Sequence, residues 1–326
     1  MKDRVGVHPV SEIDDVEAQP DLAAIFARYR DRQWLFVTPG GNWGDHLIYA
    51  GAEKLARSSG LKWSDVDFAG FQAMTVPPES CIYLHGGGGF NSWGSGRPFD
   101  MLARAASVPG AVVVQGPQTC EVGNPDVGAR FSRLMDEARC ASVFAFARER
   151  TSWEYMREHM PGVVALGLAQ DTALHLEPAD VLSMARLKER PRGRYDLLIS
   201  RRDDETPGAV LPSETYELSL DPAMYADSFA HWMRIHLYAR SIVTNRLHSA
   251  ILGSIAGIPV TLLPGSYHKN RSIWEFSLRE RGVAWADSAP PGGGRGFDLP
   301  SLCPPFLRRS WKVQRLAMRL KGMPGS

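Results

Sequence analysis

Cysteine is scarce in this chain: four stand among 326 residues, Cys81, Cys120, Cys140 and Cys303, and no two form a CxxC pair. Such spacing argues against a disulfide framework or a zinc site and for reduced, mostly buried thiols. Long hydrophobic runs are missing too. No apolar stretch approaches the ~18 residues that a membrane-spanning helix requires. The opening Met1-Lys2-Asp3-Arg4 leads into acidic residues and no apolar signal core, so the expectation is a cytoplasmic protein. Nor does one sign of charge dominate. Lys and Arg number 37 against 36 Asp and Glu, a formal net charge of +1, which argues against bulk nucleic-acid binding. No group of His, Cys, Asp and Glu has metal-ligand spacing, so no metal is expected.

What remains is an ordinary globular balance, 44% hydrophobic and 22% charged, in a chain long enough for two domains of roughly 150 residues each. A short helix is expected over 21–30, and Trp34-Leu35-Phe36-Val37-Thr38 reads as a core strand. It stops at Pro39-Gly40-Gly41-Asn42-Trp43-Gly44-Asp45, and a helix follows. Strand, glycine loop and helix open an α/β unit whose helix N-terminus can hold an anion. The loop matches neither G-x-G-x-x-G nor a Walker sequence, so nucleotide binding does not follow. Cys81-Ile82-Tyr83-Leu84 reads as a strand emptying into His85-Gly86-Gly87-Gly88-Gly89. Glycines after a buried strand let a ligand approach the backbone amides, although a plain linker would look similar.

Further uninterrupted apolar strands are expected over 111–117, 143–147 and 163–167, as buried parallel sheets require. The second ends in Arg148-Glu149-Arg150-Thr151-Ser152 and the third leads to Gln170-Asp171. After a charged connection over 177–194, Tyr195 to Ser200 starts a second half, helical spacing covers 228–240, and Pro259 to Leu263 is another strand. The alternation predicts two Rossmann-like, doubly wound α/β domains facing a cleft. Their expected limits are 1–185 and 186–290, with 291–326 a Pro/Gly linker and a basic amphipathic helix. That last helix, Pro305 to Lys321, carries Arg308, Arg309, Lys312, Arg315, Arg319 and Lys321 among apolar residues and no acidic one. It suits either an anionic membrane surface or packing on the protein body with a solvated basic face.

Ser241-Ile242-Val243-Thr244-Asn245-Arg246-Leu247-His248 concentrates the chemistry. It reads as a buried strand breaking into a helix that runs to about Ala256, with Arg246 and His248 in the first turn. An anion there meets free N–H groups, a guanidinium and an imidazole held towards its neutral, basic form. The plainer reading has Asn245 capping the helix and Arg246 in a surface pair. The other candidates also follow strands: Asn42 and Asp45, His85, Arg148, Asp171, Arg201 and Arg202, Tyr267 and Lys269. Loops at the carboxyl ends of an open sheet form its ligand sites. An inventory rich in Arg, Lys and His points to a small, multiply anionic substrate handled without a metal.

Gly41-Asn42-Trp43-Gly44-Asp45, His85-Gly86-Gly87-Gly88, Arg148-Glu149 with Ser152, Asp171, and Arg246-Leu247-His248-Ser249 resemble, in order and spacing, the motifs of the polysaccharide pyruvyl transferase family over roughly 34–275. The resemblance implies two Rossmann-like domains in a GT-B-like arrangement, phosphoenolpyruvate as donor substrate and no cofactor. It implies a pyruvate ketal formed on a sugar of a polysaccharide or lipid-linked oligosaccharide, in exopolysaccharide or other cell-surface biosynthesis. Arg246, Leu247 and His248 fall on the family's donor-binding tripeptide, and Arg148 on its other arginine. On the residues' own chemistry, His248 is the expected base, His85 or Asp171 the expected acid, and Lys269 a holder of the departing phosphate. Gly86, Gly87 and Gly88 would offer donor amides, and Asn42 and Asp45 loop or acceptor contacts. Each has a bland counterpart: Asp171 bonding loop amides, Lys269 a surface residue, Asp45 a helix cap. The expected partners are phosphoenolpyruvate, the glycan acceptor and, through the basic tail, the inner face of the membrane; nucleic acid is not among them. A glycosyltransferase of the same architecture using a nucleotide sugar is the alternative.

Overall fold

A computed structural model describes residues 20–160, 164–201, 203, 205 and 215–292. Among them the chain forms two compact units. The first holds the residues up to Gly40 and Ile48–Thr172, the second Gly41–Leu47 and the residues from Ala173 on. The division falls before the expected 185/186 limit because helix Pro178–Met184 packs on helices Phe229–Leu237 and Leu247–Ile255 of the second unit. The basic stretch over 305–321 lies outside the described residues.

The first unit is built on seven strands: β1 (Trp34–Thr38), β2 (Trp63–Asp67), β3 (Cys81–Leu84), β4 (Gly87–Phe90), β5 (Val112–Cys120), β6 (Ser142–Ala147) and β7 (Val164–Leu168). They pair in the order β2-β1-β3-β5-β6-β7, with β4 also on β5, and every pairing is parallel. Alternate residues of each strand feed opposite faces. Val37, Ile82, Leu84 and Val113 join one buried cluster. Trp34, Phe36, Tyr83 and Val114 join the other. Two covered faces explain why these strands read as unbroken apolar runs.

The second unit repeats the plan with β8 (Tyr195–Ile199), β9 (Leu218–Leu220), β10 (Ala239–Thr244), β11 (Val260–Leu262) and β12 (Ala284–Trp285), ordered β12-β11-β10-β8-β9 and again all parallel. Each sheet therefore has one place where successive connections depart in opposite directions. In the first it lies between β1 and β3, in the second between β8 and β10. Ligands of open α/β sheets bind beyond the carboxyl ends of such strands.

Buried histidines accompany this packing. His236, on helix Phe229–Leu237, has Nδ1 2.8 Å from the Trp232 carbonyl and Nε2 2.9 Å from the Ser249 hydroxyl. A neutral ring satisfies both, donating from Nδ1 and accepting at Nε2. Burial pushes His236 down from 6.5 to about 4, against the opposing pull of the Trp232 carbonyl. His85 is pushed down to about 3 by burial alone. The unfolded chain takes up these protons near pH 6.5 and the folded chain does not. Stability from these groups is therefore complete above that pH and drains away as pH falls towards about 4. The urea midpoint should drop between about pH 7 and about pH 5, and the drop should be shallower in His236→Gln. Equal slopes in the two proteins would contradict the assignment.

Candidate active site

At the carboxyl edge of the second sheet, side chains stitch neighbouring strand ends together. The Asn245 Oδ1 accepts from the Arg201 backbone N–H at 2.7 Å, tying the end of β10 to that of β8. The Asn270 Nδ2 donates to the carbonyls of Asn245 (2.9 Å) and Leu263 (3.0 Å), tying β10 to β11. Asn245 thus holds strand ends; the helix Leu247–Ile255 has Arg246, not Asn245, at its N-cap. That cap makes no side-chain hydrogen bond to its own helix; its carbonyl accepts from the Ser249 amide at 3.1 Å, and His248 lies between them in the first turn.

Arg246 is buried and points its guanidinium back along the edge. Nε and Nη2 donate to the two carboxylate oxygens of Asp221 at 2.5 and 2.6 Å, and Nη2 also donates to Asp203 at 2.9 Å. Burial alone would lower the Arg246 pKa, but Asp221 and Asp203 raise it above the ordinary value. Asp203 is bound by Arg201 as well, and Glu205 by Arg201 at 2.7 Å and by Lys269. Burial works against ionisation of Asp203 and Glu205, yet the neighbouring Arg and Lys charges hold both below the usual carboxylate range. Among the described residues, Arg201, Arg246 and Lys269 thus pair with Asp203, Glu205 and Asp221. Lys269 opens the short helix Lys269–Ile273 and is buried, unlike the exposed lysine of the plainer sequence reading.

The glycine loop after β1 lies against the same helix N-terminus. Within it, Asn42 N–H donates to Asp45 Oδ2 and Gly44 N–H to Asn42 Oδ1, both at 2.8 Å, a closed turn leading into helix Asp45–Ser58. The Trp43 indole N–H donates to the Ala226 carbonyl at 2.9 Å. A Cβ on Gly44 would stand 2.9 Å from the His248 Cβ, so only glycine admits the imidazole there. His248 Nδ1 comes to 3.7 Å from Asp45 Oδ1, with the ring 13% exposed. Asp45 is therefore a local turn partner and a carboxylate close to this imidazole, beyond the capping role expected of it.

In the first unit, Arg148 and Asp171 are each 1% exposed and form an ion pair at 2.6 Å. The Arg148 Nε also donates to Thr119 Oγ1 at 2.9 Å. Residues at the ends of β5, β6 and β7 are thus locked by one guanidinium. The neighbouring motif positions are equally architectural: Glu149 caps helix Arg150–His159 through the Ser152 amide, and the Ser152 hydroxyl accepts from the Cys120 amide at 2.8 Å. His85 is buried among Phe36, Tyr49 and Tyr83, and neither ring nitrogen has a hydrogen-bond partner among the described residues. Burial pushes this ring down to about 3, a setting that favours neutral imidazole and weighs against His85 as the proton donor.

The glycines beyond His85 also differ from expectation. Gly87–Phe90 is not an open loop but strand β4, laid parallel on β5 with Gly87 opposite Gln118 and Phe90 opposite Cys120. A Cβ on Gly86 would stand 2.2 Å from the Pro117 carbonyl oxygen, and one on Gly89 2.5 Å from the Pro98 ring. Close approach of chain to chain accounts for Gly86 and Gly89, so their absent side chains are no evidence of a bound ligand.

The sequence profile of the polysaccharide pyruvyl transferases matches residues 14–267, most of the chain. This protein belongs to the polysaccharide pyruvyl transferase family. Membership makes it a transferase whose acceptor class is polysaccharide. A crystal structure of a functionally uncharacterized protein from Klebsiella pneumoniae subsp. pneumoniae NTUH-K2044 shares the fold at a TM-score of 0.60 and 18% identity, over 82% of this chain and 97% of that one. A search of curated proteins returned no match.

Within this pyruvyl transferase the expected site residues fall into two groups, one per unit. Asn42, Asp45, Arg246, Leu247, His248 and Lys269 lie in the second, where Leu247 is buried in the first helical turn. His85, Gly86, Gly87, Gly88, Arg148 and Asp171 lie in the first. No group of His, Cys, Asp or Glu among the described residues could hold a metal ion. Sequence reasoning missed Asp203, Asp221, Glu205 and Asn270 as site residues. Asp221 carried a signal: an acidic residue before Pro222, directly after Leu218-Ser219-Leu220, at a strand's carboxyl end.

The burial of the Arg148–Asp171 pair sets a stability prediction. Arg148→Ala should cost about 3–5 kcal/mol in urea unfolding because it strands a buried carboxylate. Replacing both partners by apolar residues of similar size should cost less than that single change; a larger loss in the double variant would refute the interpretation.

Proposed function

We propose that the protein transfers the enolpyruvyl group of phosphoenolpyruvate to two hydroxyls of one sugar in a polysaccharide or lipid-linked oligosaccharide, forming a pyruvate ketal. The observation that carries this reading is the carboxyl edge of the second sheet, where Arg246, Lys269 and the N-terminus of helix Leu247–Ile255 collect beside His248 and Asp45. A donor bearing both carboxylate and phosphate is the kind of ligand that guanidinium, ammonium and a helix N-terminus recognise together.

In the proposed reaction C3 of the enol gains a proton and C2 becomes oxocarbenium-like. One sugar hydroxyl adds to C2, the bond from C2 to the bridging phosphate oxygen breaks, and the second hydroxyl closes the ring. The two hydroxyl protons balance the one gained at C3 and the one carried away on phosphate. His248 is the base that takes a hydroxyl proton, a role worth ~10²–10⁴-fold. Asp45 stabilises the resulting imidazolium by its charge. Arg246 holds the donor's planar anionic group and Lys269 the departing phosphate. Arg148 and Asp171 are engaged with each other in a buried pair, so in this reading neither of them delivers the proton to C3.

No helix among the described residues is long and apolar enough to cross a membrane. The proposed site of action is the cytoplasmic face of the membrane, with the basic stretch over 305–321 facing anionic lipid near a lipid-linked acceptor.

Incubation with phosphoenolpyruvate and a suitable glycan should release phosphate and add a ketal, both readable by mass. His248→Ala should lose at least about 100-fold in rate with an unchanged melting temperature. Phosphoenolpyruvate at ~100 times its Kd should stabilise the protein by about 2.7 kcal/mol. Stabilisation by UDP but not by phosphoenolpyruvate would replace this reading with that of a nucleotide-sugar glycosyltransferase.

A further inference from the structure

We infer that Asp221 is the positioning residue that fixes the Arg246 guanidinium, and that Asp203 occupies the donor-anion seat on Arg246 and gives way when the donor binds. The inference deepens the function proposed above and rests on its reading of Arg246.

A guanidinium offers two bidentate edges, Nε with Nη2 and Nη1 with Nη2. Asp221 fills the first with both oxygens, at 2.5 and 2.6 Å. It is fully buried and stands directly after β9, where it also caps helix Pro222–Tyr225 through Oδ1 and the Ala223 amide at 3.3 Å. Strand on one side and helix on the other give this carboxylate no freedom to leave. Removing it would strand a buried charge.

Asp203 is placed in the opposite way. Its side chain is 42% exposed and touches only one nitrogen of the second edge, Nη2 at 2.9 Å. Nη1 makes no hydrogen bond among the described residues. A carboxylate or phosphate with two oxygens spanning Nη1 and Nη2 would engage that edge fully, which Asp203 does not. Asp203 also keeps Arg201 as a second partner, so yielding Arg246 leaves its charge compensated.

Charge favours the exchange. Among the described residues Arg201, Arg246 and Lys269 pair with Asp203, Glu205 and Asp221, so an arriving anion gains most at Arg246 when one of its two carboxylates withdraws. Asp203 is the more exposed of the two acids on Arg246 and holds it through one oxygen where Asp221 uses two, so it is the one that withdraws.

The test is titration calorimetry on the full chain with phosphoenolpyruvate, inorganic phosphate and UDP as separate probes, comparing wild type, Asp203→Asn and Asp221→Asn. Asparagine keeps the shape and removes the competing charge. Asp203→Asn should bind phosphoenolpyruvate or phosphate about twofold to fivefold more tightly, the scale of one exposed ion pair. Its KM for phosphoenolpyruvate should fall without a rise in kcat. Asp221→Asn should bind at least about tenfold more weakly. If that variant does not fold, the Asp203 comparison decides alone. Unchanged or weaker binding of all three probes by Asp203→Asn overturns the exchange, and unchanged affinity in a folded Asp221→Asn overturns the positioning role. Tighter binding of phosphate or UDP without transfer from phosphoenolpyruvate would uphold the seat and sink the proposed reaction. Transfer with a flat Asp203→Asn response would do the reverse.

Discussion

Every strand pairing in both sheets is parallel, and that constraint decides where chemistry can sit. Parallel strands end together, so each sheet has one edge where carbonyls, helix N-termini and loop side chains collect. Such an edge must be satisfied or it is costly to bury. The first unit closes part of its edge with Arg148, which joins residues at the ends of three strands through Thr119 and Asp171. The second closes its edge with the amides of Asn245 and Asn270 and with the Arg246–Asp221 pair.

These two solutions differ in what they leave available. Arg148 donates to a hydroxyl and an anion that are themselves buried, and its neighbourhood is a finished piece of core. Arg246 binds one carboxylate on a rigid strand end and one on a partly exposed segment. A buried guanidinium needs one permanent counter-ion to exist at all. The second partner can then exchange, and under the proposed function that asymmetry separates Arg246, which serves the donor, from Arg148, which holds the core.

Legibility in the sequence followed burial. Trp34–Thr38 and Cys81–Leu84 announced themselves because both sheet faces are covered and the strands are apolar throughout. Trp63–Asp67 did not, since it is the outermost strand and three of its five residues are exposed. Gly87–Phe90 was hidden by composition, because glycines that permit close chain crossings look the same in sequence as glycines that admit a ligand. In the site, His248 and Arg246 were visible as a strand-to-helix junction. Their partners were not: Asp221 and Asp203 precede Arg246 by 25 and 43 residues, and no local spacing rule connects them. Only the strand order brings them to one edge.

The glycine loop and the Arg-Leu-His tripeptide, far apart in the chain, are in effect one feature. Gly44 lacks a side chain where His248 needs room, and the turn that Gly44 shares with Asn42 aims Asp45 at the imidazole. At 3.7 Å the Asp45–Nδ1 separation is longer than a hydrogen bond, so Asp45 does not lock the ring tautomer in the resting state. Its influence grows with charge instead: a neutral imidazole gains little from a carboxylate at that distance, and an imidazolium gains a Coulombic partner. In the proposed reaction the pair therefore favours the state after proton capture over the state before it. A base needs that difference, because only interactions stronger in the transition state than in the ground state raise the rate.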